Sequence, residues 1–434
     1  MVRNTRRTSS KSAVALSALV VAGALVLSAC SGGSGEPAAT EAATEAAVVV
    51  PENAVPPATI GMHIEGVEGG AWASAPFGAL RLWDNGTAWS QIETEKGVYN
   101  WANIDGSLAN AQSKGMNNVM LVLGTTPEWA TQKIKDTDYP QPGAAGAPKD
   151  LADWDNWVET VTTKYTGQFE AYQIWNEVNL KNFYNGTPAE MAEMTKRAYD
   201  IIKKNDPTAL VVAPSPTLRL TAAFDRFYPE YLAELGKLGW PVDVFAIHTY
   251  PDGLGDPAVR GLLIKKAQEA LVAAGAPDLP LWDTELNYGL AGPGDIPKQE
   301  ITGANAAGFV VRTYIDDLRY NIDRSYWYIW SLRPIEILGI QAFAGSDSEQ
   351  GFFALDNWVV GASFDGCATE GDAVICDFSS TDSKWIVAWA EKGEAVYTTP
   401  ENSQLVCDPL QNCQEAGPNS TITLTTIPVR IYLS

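Results

Sequence analysis

The sequence predicts an α/β fold: a (β/α)₈ TIM barrel of eight parallel strands, followed by a small C-terminal antiparallel β-sandwich. Short runs rich in Val, Ile, Leu and Tyr alternate with longer helical patterns from residue 58 to 331. Strict alternation of strand and helix indicates a parallel sheet. Eight such units within about 275 residues favour a closed barrel over an open sheet. Beyond this region the residue pattern changes, and short runs of alternating apolar and polar residues replace the helical patterns.

The individual elements follow from the local patterns. Strands are predicted near 58–64, 77–83, 117–124, 169–176, 209–214, 243–250, 279–285 and 324–330. Helices are predicted over 103–115, 150–166, 187–205, 222–238, 257–274 and 302–321. At the start of the helix 187–205, Thr187 and Glu190 form a capping-box pattern, and Pro188 suits the first turn.

The chain is divided into a catalytic barrel over 58–333 and an accessory β-sandwich over 334–434. Runs such as 384–390 and 421–432 alternate between apolar and polar residues and are separated by Gly and Pro turns, which is typical of short antiparallel strands. No long helical pattern is predicted after residue 334. One edge of the sandwich is expected to include residues just before the barrel.

Residues 1–30 are predicted to be a bacterial lipoprotein signal peptide. A basic stretch precedes an apolar run over 13–27, which is typical of an export signal and too short for a membrane span. The run ends in Leu-Ser-Ala-Cys, whose last residue, Cys30, is expected to carry the lipid. An ordinary signal with a chance cysteine and an uncleaved anchor are the alternatives. Residues 31–57, rich in Gly, Ser, Ala, Thr, Glu and Pro, are predicted to be a flexible linker.

These features predict an extracytoplasmic protein that is lipid-anchored to the outer face of a bacterial cell membrane. The chain has 30 basic and 52 acidic residues, a net charge of −22, which argues against nucleic acid or anionic lipid as the main partner. Membrane contact is therefore expected only through the N-terminal lipid, and the chain is expected to be a monomer.

Four cysteines remain besides Cys30, all in the last seventy or so residues. An oxidising exterior permits disulfides, and the short spacings favour the local pairs Cys367–Cys376 and Cys407–Cys413. The two other pairings stay open, since spacing alone does not decide connectivity. The spacing does not suit a zinc site, and neither of the two histidines lies near these cysteines.

Two glutamates stand at predicted strand ends. Glu177 follows the fourth strand and Glu285 ends the seventh. Active sites of (β/α)₈ barrels lie at the C-terminal ends of the strands, so both carboxylates are expected at one mouth. Cleavage of a glycosidic bond needs one carboxylic acid and one carboxylate in such positions. Asp283 is a rival to Glu285, because residues two apart point to the same face of a strand.

The sequence resembles glycoside hydrolase family 39, which includes β-xylosidase-like and exopolysaccharide hydrolases with (β/α)₈ barrels. The phrase Trp-Asn-Glu-Val-Asn around Glu177 carries the resemblance, although the family usually has Pro where this chain has Val178. Further matching segments are Arg81, 97–101 (Gly-Val-Tyr-Asn-Trp), 126–130 (Thr-Pro-Glu-Trp-Ala), 248–251 (His-Thr-Tyr-Pro) and 428–432 (Pro-Val-Arg-Ile-Tyr).

The resemblance implies a retaining, double-displacement mechanism on poly- or oligosaccharides outside the cell. Glu177 would be the general acid and then the general base, which requires a raised pKa. Glu285 would be the ionised nucleophile, and Arg81 would favour its charge.

The resemblance also implies roles in substrate binding. Asn176 would bond the sugar hydroxyl next to the anomeric carbon, Tyr250 would hold Glu285 in place, and His248 would line the same subsite. Trp330, at the end of the eighth strand, would form a floor for the sugar ring. His63 and Trp129 are further candidates for the lining of the cleft.

Other functions remain open at this point. The main rival is a non-catalytic carbohydrate-binding lipoprotein on a degenerate barrel, and a transglycosidase would use the same residues. Specificity is expected in the loops 125–149, 178–187 and 286–301, with Phe183 and Tyr184 as candidates for the leaving-group side. The sequence indicates neither a metal nor an organic cofactor.

Overall fold

The computed structural model describes residues 51, 53–133, 135, 139–253, 255–292 and 294–434. The predicted signal peptide over 1–30, including Cys30, and most of the predicted linker lie outside the described residues. Within the described part of the chain, no helix is both long and apolar enough to cross a membrane.

Eight parallel strands of the described chain form a barrel, which confirms the predicted fold class. The strands are β1 (Ile60–Ile64), β2 (Ala79–Leu82), β3 (Val119–Val122), β4 (Ala171–Gln173), β5 (Leu210–Val212), β6 (Phe245–His248), β7 (Leu281–Leu286) and β8 (Arg324–Trp330). Their order is β5-β4-β3-β2-β1-β8-β7-β6. A parallel bridge between Val212 and Val244 joins the two ends of this order and closes the barrel.

Helices follow the strands and cover the outside of the barrel. They are α1 (Trp89–Ile92), α2 (Ala102–Ser113), α3 (Leu151–Lys164), α4 (Pro188–Asn205), α5 (Thr221–Lys237), α6 (Pro257–Ala273), α7 (Gly303–Arg319) and α8 (Asp347–Trp358). The capping box predicted for α4 is present, since Thr187 and Glu190 each accept a hydrogen bond from the other's backbone N–H. Each of the predicted helices is observed within two residues of its predicted bounds.

Helix α8 contradicts the expectation that no long helix follows residue 334. It begins after Ser346, whose side chain caps the backbone N–H of Glu349 at 3.2 Å. Phe352, Leu355 and Trp358 recur at helical spacing and are wholly or almost wholly buried, and the helix packs against α7. This apolar stripe is short and is followed by a long strand-rich sequence, so its helical period was not recognised in the sequence.

The C-terminal region contains two antiparallel sheets. One has the six-stranded order β14-β13-β16-β11-β10-β9 and the other pairs β12 with β15. The strands are β9 (Ser363–Glu370), β10 (Ala373–Ser379), β11 (Lys384–Ala390), β12 (Ala395–Thr398), β13 (Ser403–Cys407), β14 (Cys413–Glu415), β15 (Thr421–Leu424) and β16 (Val429–Leu433). Ile375, Ile386 and Ile431 of the larger sheet share one apolar cluster with Leu424 of the smaller sheet, which makes the pair a small sandwich.

Covalent and backbone contacts complete this sandwich. Disulfides join Cys367 to Cys376 and Cys407 to Cys413, so both local pairs are confirmed. The predicted contribution from before the barrel is also observed, because Ala54 forms an antiparallel bridge with Ser363 at the start of β9.

Candidate active site

Glu177 and Glu285 meet at the C-terminal mouth of the barrel. Glu177 lies just beyond β4 and Glu285 lies near the end of β7. One carboxylate oxygen of each lies within 4.8 Å of the other, and each residue is 8% exposed. The backbone of Glu177 has a φ of 44°, a left-handed conformation that is uncommon outside glycine and that persists where surrounding structure enforces it.

Arg81 on β2 connects the two carboxyl-bearing strands from below. Its guanidinium is fully buried. Nη1 donates to Oε2 of Glu285 at 3.0 Å, Nη2 to Oδ1 of Asn176 at 2.7 Å, and Nε to Oε1 of Gln173 at 2.8 Å. One planar cation therefore orients both Glu285 and Asn176, and Asn176 directly precedes Glu177 in the chain.

Tyr250 orients Glu285 from the other side. Its hydroxyl donates to Oε1 of Glu285 at 2.7 Å, while Arg81 contacts Oε2. Each oxygen of Glu285 thus has its own donor, which fixes the plane of the carboxylate.

His248, at the end of β6, lies between the two glutamates. Its Nδ1 is 3.2 Å from Oε1 of Glu177 and 3.9 Å from Oε2 of Glu285. Its Nε2 is 3.0 Å from Oγ1 of Thr284. The side chain is completely buried, so His248 contacts the carboxyl groups from beneath rather than presenting its ring to the pocket.

Burial sets the electrostatics of this cluster. Removal from water raises the pKa of the Glu177 carboxyl to about 7, because the charged form is the less well solvated one. Burial also raises the pKa of Glu285, while the neighbouring His248 and Arg81 oppose that shift. Burial lowers the pKa of His248 to about 4, so its imidazole is neutral near pH 7.

A cavity of about 420 Å³ opens above the two glutamates. The described residues that line it are Trp83, Asp84, Tyr139, Asn176, Glu177, Leu180, Phe183, Thr217, Arg219, Leu220, Tyr250, Glu285, Leu290, Ala291, Tyr328, Ile337 and Leu338. This volume is in the range of small-molecule ligand sites. The predicted residues Glu177, Glu285, Asn176 and Tyr250 are thus brought together on its surface.

The comparison with known proteins assigns the family. The model of the glycosyl hydrolases family 39 matches residues 80–339. The chain belongs to this family. It is a glycoside hydrolase, and its substrate is a carbohydrate. No curated protein matches the chain in sequence.

Solved structures support the fold of this family 39 protein. A family 39 glycoside hydrolase from Bacteroides cellulosilyticus WH2 is similar with a TM-score of 0.64 and 16% identity, covering 89% of this chain and 83% of that one. A family 39 β-xylosidase from Caulobacter crescentus has a TM-score of 0.62 and 17% identity, covering 89% and 98%. A family 30 endoxylanase from Clostridium papyrosolvens has a TM-score of 0.55 and 14% identity, covering 89% and 98%.

Arg81 and His248 reach the glutamates from beneath, and three further candidate binding residues of this glycoside hydrolase also lie off the cavity surface. Trp330 is 3% exposed and belongs to the main apolar core. Trp129 packs against that core and donates through Nε1 to the carbonyl of Glu93 at 2.8 Å. His63 lies behind the site, with Nε2 3.3 Å from Nη1 of Arg81.

Tyr328 takes the position that was expected for Trp330. It lines the cavity, and its hydroxyl donates to Oδ2 of Asp84 at 2.6 Å. On a regular strand Tyr328 and Trp330 would point to the same face. The register between β1 and β8 shifts between Met62 and Ile64, where Ile64 pairs with Trp330, and this irregularity separates the two side chains.

Asp283, the rival nucleophile, does not line the cavity. Its Oδ2 accepts from Nη2 of Arg260 at 2.8 Å, and Oδ1 accepts from the backbone N–H of Thr249 at 3.2 Å. The expectation that Asp283 and Glu285 share a face is wrong, because the register of β7 shifts between Asp283 and Leu286. Asp283 instead belongs to a buried ion cluster with Arg260 and Asp317.

The predicted specificity loops contribute unequally. Phe183 lines the cavity, whereas Tyr184 is buried in the core. Trp83 and Asp84, which follow β2, lie outside the three predicted loops and also line the cavity. Asp84 stands at a strand end, so the rule that identified Glu177 also applies to it.

The cluster of Glu177, His248 and Glu285 offers three atoms that could approach one cation. Nη1 of Arg81 already pairs with Glu285 at 3.0 Å, and its fixed positive charge disfavours a metal at this position. The arrangement is suited instead to chemistry carried by the two carboxyl groups.

Proposed function

We propose that the chain hydrolyses glycosides with retention of anomeric configuration, with Glu285 as nucleophile and Glu177 as acid and base. The observation that carries this proposal is the short separation of the carboxylates, whose oxygens approach within 4.8 Å. Retaining enzymes place the two carboxyl groups about 5–5.5 Å apart, whereas inverting enzymes need about 6.5–9.5 Å for a water molecule between carboxylate and sugar.

The first step forms a covalent intermediate. An oxygen of Glu285 attacks the anomeric carbon, and the bond from that carbon to the leaving oxygen breaks. The proton held by Glu177 moves to the leaving oxygen, so the leaving group departs as a neutral alcohol. The pKa of about 7 allows Glu177 to retain this proton near neutral pH.

The second step reverses these roles. Glu177, now a carboxylate, takes a proton from water as the water oxygen attacks the anomeric carbon. The ester bond to Glu285 breaks, Glu285 regains its charge, and Glu177 ends protonated. Two inversions at one carbon give net retention.

The surrounding residues position these groups. Arg81 and Tyr250 hold Glu285 by one hydrogen bond to each oxygen. Asn176 accepts from Arg81 through Oδ1, which leaves its Nδ2 hydrogens available for the sugar hydroxyl next to the anomeric carbon.

The proposed substrate is an extracellular poly- or oligosaccharide, and the proposed location is the outer face of the cell membrane. The lipoprotein signal predicted over residues 1–30, ending at Cys30, supports this location. Similar structures include a β-xylosidase and a glucosidase, so xylosides and glucosides are the first substrates to test. The chain is proposed to act as a monomer.

The test compares Glu285→Ala with Glu269→Ala, a matched change on the outer helix α6. Glu285→Ala should lower kcat/KM on the order of 10⁴- to 10⁶-fold, because no other group attacks the anomeric carbon. Glu269→Ala should retain full activity. Full activity in Glu285→Ala would refute the assignment, and tight sugar binding by a wild-type protein without turnover would support the binding-protein alternative instead.

A further inference from the structure

A second, smaller cavity adjoins the catalytic one. It has a volume of about 200 Å³ and is lined by Trp83, Asp84, Ala88, Gln91, Tyr139 and Pro140. Trp83, Asp84 and Tyr139 also line the catalytic cavity. The two cavities are therefore neighbours that share a wall, and the mechanism above uses only the larger one.

The shared wall presents a carboxylate with unused acceptor capacity. Asp84 accepts one hydrogen bond from the hydroxyl of Tyr328, at 2.6 Å, and one from the hydroxyl of Tyr139. An ionised carboxylate has about four acceptor positions, so a ligand can use the remaining ones. The residue is exposed and forms no ion pair within the described residues. Its position and free acceptors suit the hydroxyl groups of a sugar.

The rest of the second cavity combines ring surfaces with an amide. Tyr139 is 47% exposed, and aromatic rings offer apolar faces with a polar edge. The side-chain amide of Gln91 is partly exposed and makes no hydrogen bond to the described residues. It can donate to one hydroxyl and accept from another. A sugar ring has apolar faces, which pack on aromatic rings, and hydroxyl groups at its edge, which bond to groups that both donate and accept hydrogen bonds.

The position of this cavity indicates which side of the cleaved bond it serves. The leaving group departs beside Glu177, which protonates it. The loop after β5 lies next to Glu177. Its Thr217 donates the backbone N–H to Oδ1 of Asn179, two residues after Glu177, at 2.9 Å. The second cavity lies instead in the loops after β2 and β3, where Asp84 bonds to Tyr328 of β8. Tyr328 lies on β8, which pairs with the strand of Glu285, so this contact links the second cavity to the side of the sugar that Glu285 attacks.

We propose that this second cavity is a sugar-binding subsite for the unit on the non-reducing side of the reacting sugar. The preferred substrate then has at least two sugar units before the cleaved bond, and the enzyme releases a disaccharide or a longer product. This inference rests on the proposed retaining hydrolysis, because the order of the subsites follows from the roles of Glu177 and Glu285.

The test uses pairs of aryl glycosides that share one leaving group, such as p-nitrophenyl β-xyloside with β-xylobioside and p-nitrophenyl β-glucoside with β-cellobioside. Within a pair the chemistry at the leaving oxygen is the same, so a difference in kcat/KM reports on the additional sugar. The bioside should react at least about tenfold faster, which corresponds to one or two additional hydrogen bonds. Its first products should be p-nitrophenol and an intact disaccharide.

Gln91→Ala provides the matching variant, because Gln91 is partly exposed and lines the second cavity but not the catalytic one. It should remove most of the bioside advantage, while Gln112→Ala, at an exposed glutamine on α2, should retain it. Equal rates for the two members of a pair, a monoside preference, or an unchanged advantage in Gln91→Ala would overturn the inference. Absence of turnover with every pair would contradict the proposed function itself.

Discussion

Nδ1 of His248 lies 3.2 Å from Oε1 of Glu177, in a position that is closed to solvent. The other ring nitrogen faces Oγ1 of Thr284, which also accepts a hydrogen bond from Nε2 of Gln173 at 3.0 Å. Because Gln173 supplies a hydrogen to that hydroxyl, the hydroxyl can donate its own to Nε2. The neutral imidazole then carries its hydrogen on Nδ1 and donates it to Glu177.

The first prediction concerns His248 as a positioning residue. His248→Ala should lower kcat/KM roughly 10- to 100-fold, since loss of the contact lets the acid move from its productive position. Loss of a donor to the carboxylate should also raise the pKa of Glu177, so the alkaline limb of the pH profile should move to higher pH. A pH profile of kcat/KM tests both effects, and a lower rate with an unmoved limb would indicate a purely structural role.

The second prediction concerns the pH dependence of activity. Because Glu177 must be protonated in the first step and its pKa is about 7, kcat/KM should fall about tenfold for each pH unit above that value. Glu177→Gln should lower activity about 10²- to 10⁴-fold on poor leaving groups and much less on activated aryl glycosides. An alkaline limb that persists in Glu177→Gln would show that another group supplies the proton.

The third prediction concerns stability. The folded pKa of Glu177 is about 7 and lies above its unfolded value, so the folded state binds the proton more tightly. The contribution of the Glu177 carboxyl to the free energy of unfolding is fully present below pH ~4.5 and is lost as the pH rises to about 7. Glu177→Gln, which cannot ionise, should therefore gain up to about 3 kcal/mol over the wild type at pH 8 and little at pH 4. Denaturant unfolding of both proteins at the two pH values checks this, and an equal difference at both would contradict it.

The fourth prediction separates the two carboxylates of β7. Asp283→Asn should lower the free energy of unfolding by about 2–3 kcal/mol, because Asp283 accepts buried hydrogen bonds from Arg260 and Thr249. Its kcat/KM below the unfolding transition should stay within about tenfold of the wild type. Glu285→Gln should do the reverse, with intact stability and an activity loss of more than about 10³-fold. Interchanged outcomes would make Asp283 the nucleophile.

Much of the barrel was predictable because strand and helix periods are local properties of the sequence. The placement of Glu177 and Glu285 followed from the rule that strand ends meet at one mouth. The resemblance added the partners Arg81 and Tyr250, whose contacts depend on side chains that are far apart in the chain.

The irregular positions were not predictable for a physical reason. Asp283 was assigned by the alternation of a regular strand and Trp330 by the family resemblance, but register shifts in β7 and β8 change which way these side chains point. A shift of this kind depends on how the neighbouring strand pairs, which one strand's sequence does not specify. Asp84 could have been predicted from the sequence as a strand-end carboxylate. Its hydrogen bonds to Tyr139 and Tyr328 could be identified only in the folded structure.

The central claim is that two closely spaced carboxylates act by double displacement. NMR of the anomeric protons during hydrolysis of an activated glycoside tests it most directly, because it identifies the first-formed product before mutarotation. The spacing within 4.8 Å predicts that this product has the anomeric configuration of the substrate. An initial product of the opposite configuration would contradict the assignment of Glu285 as nucleophile.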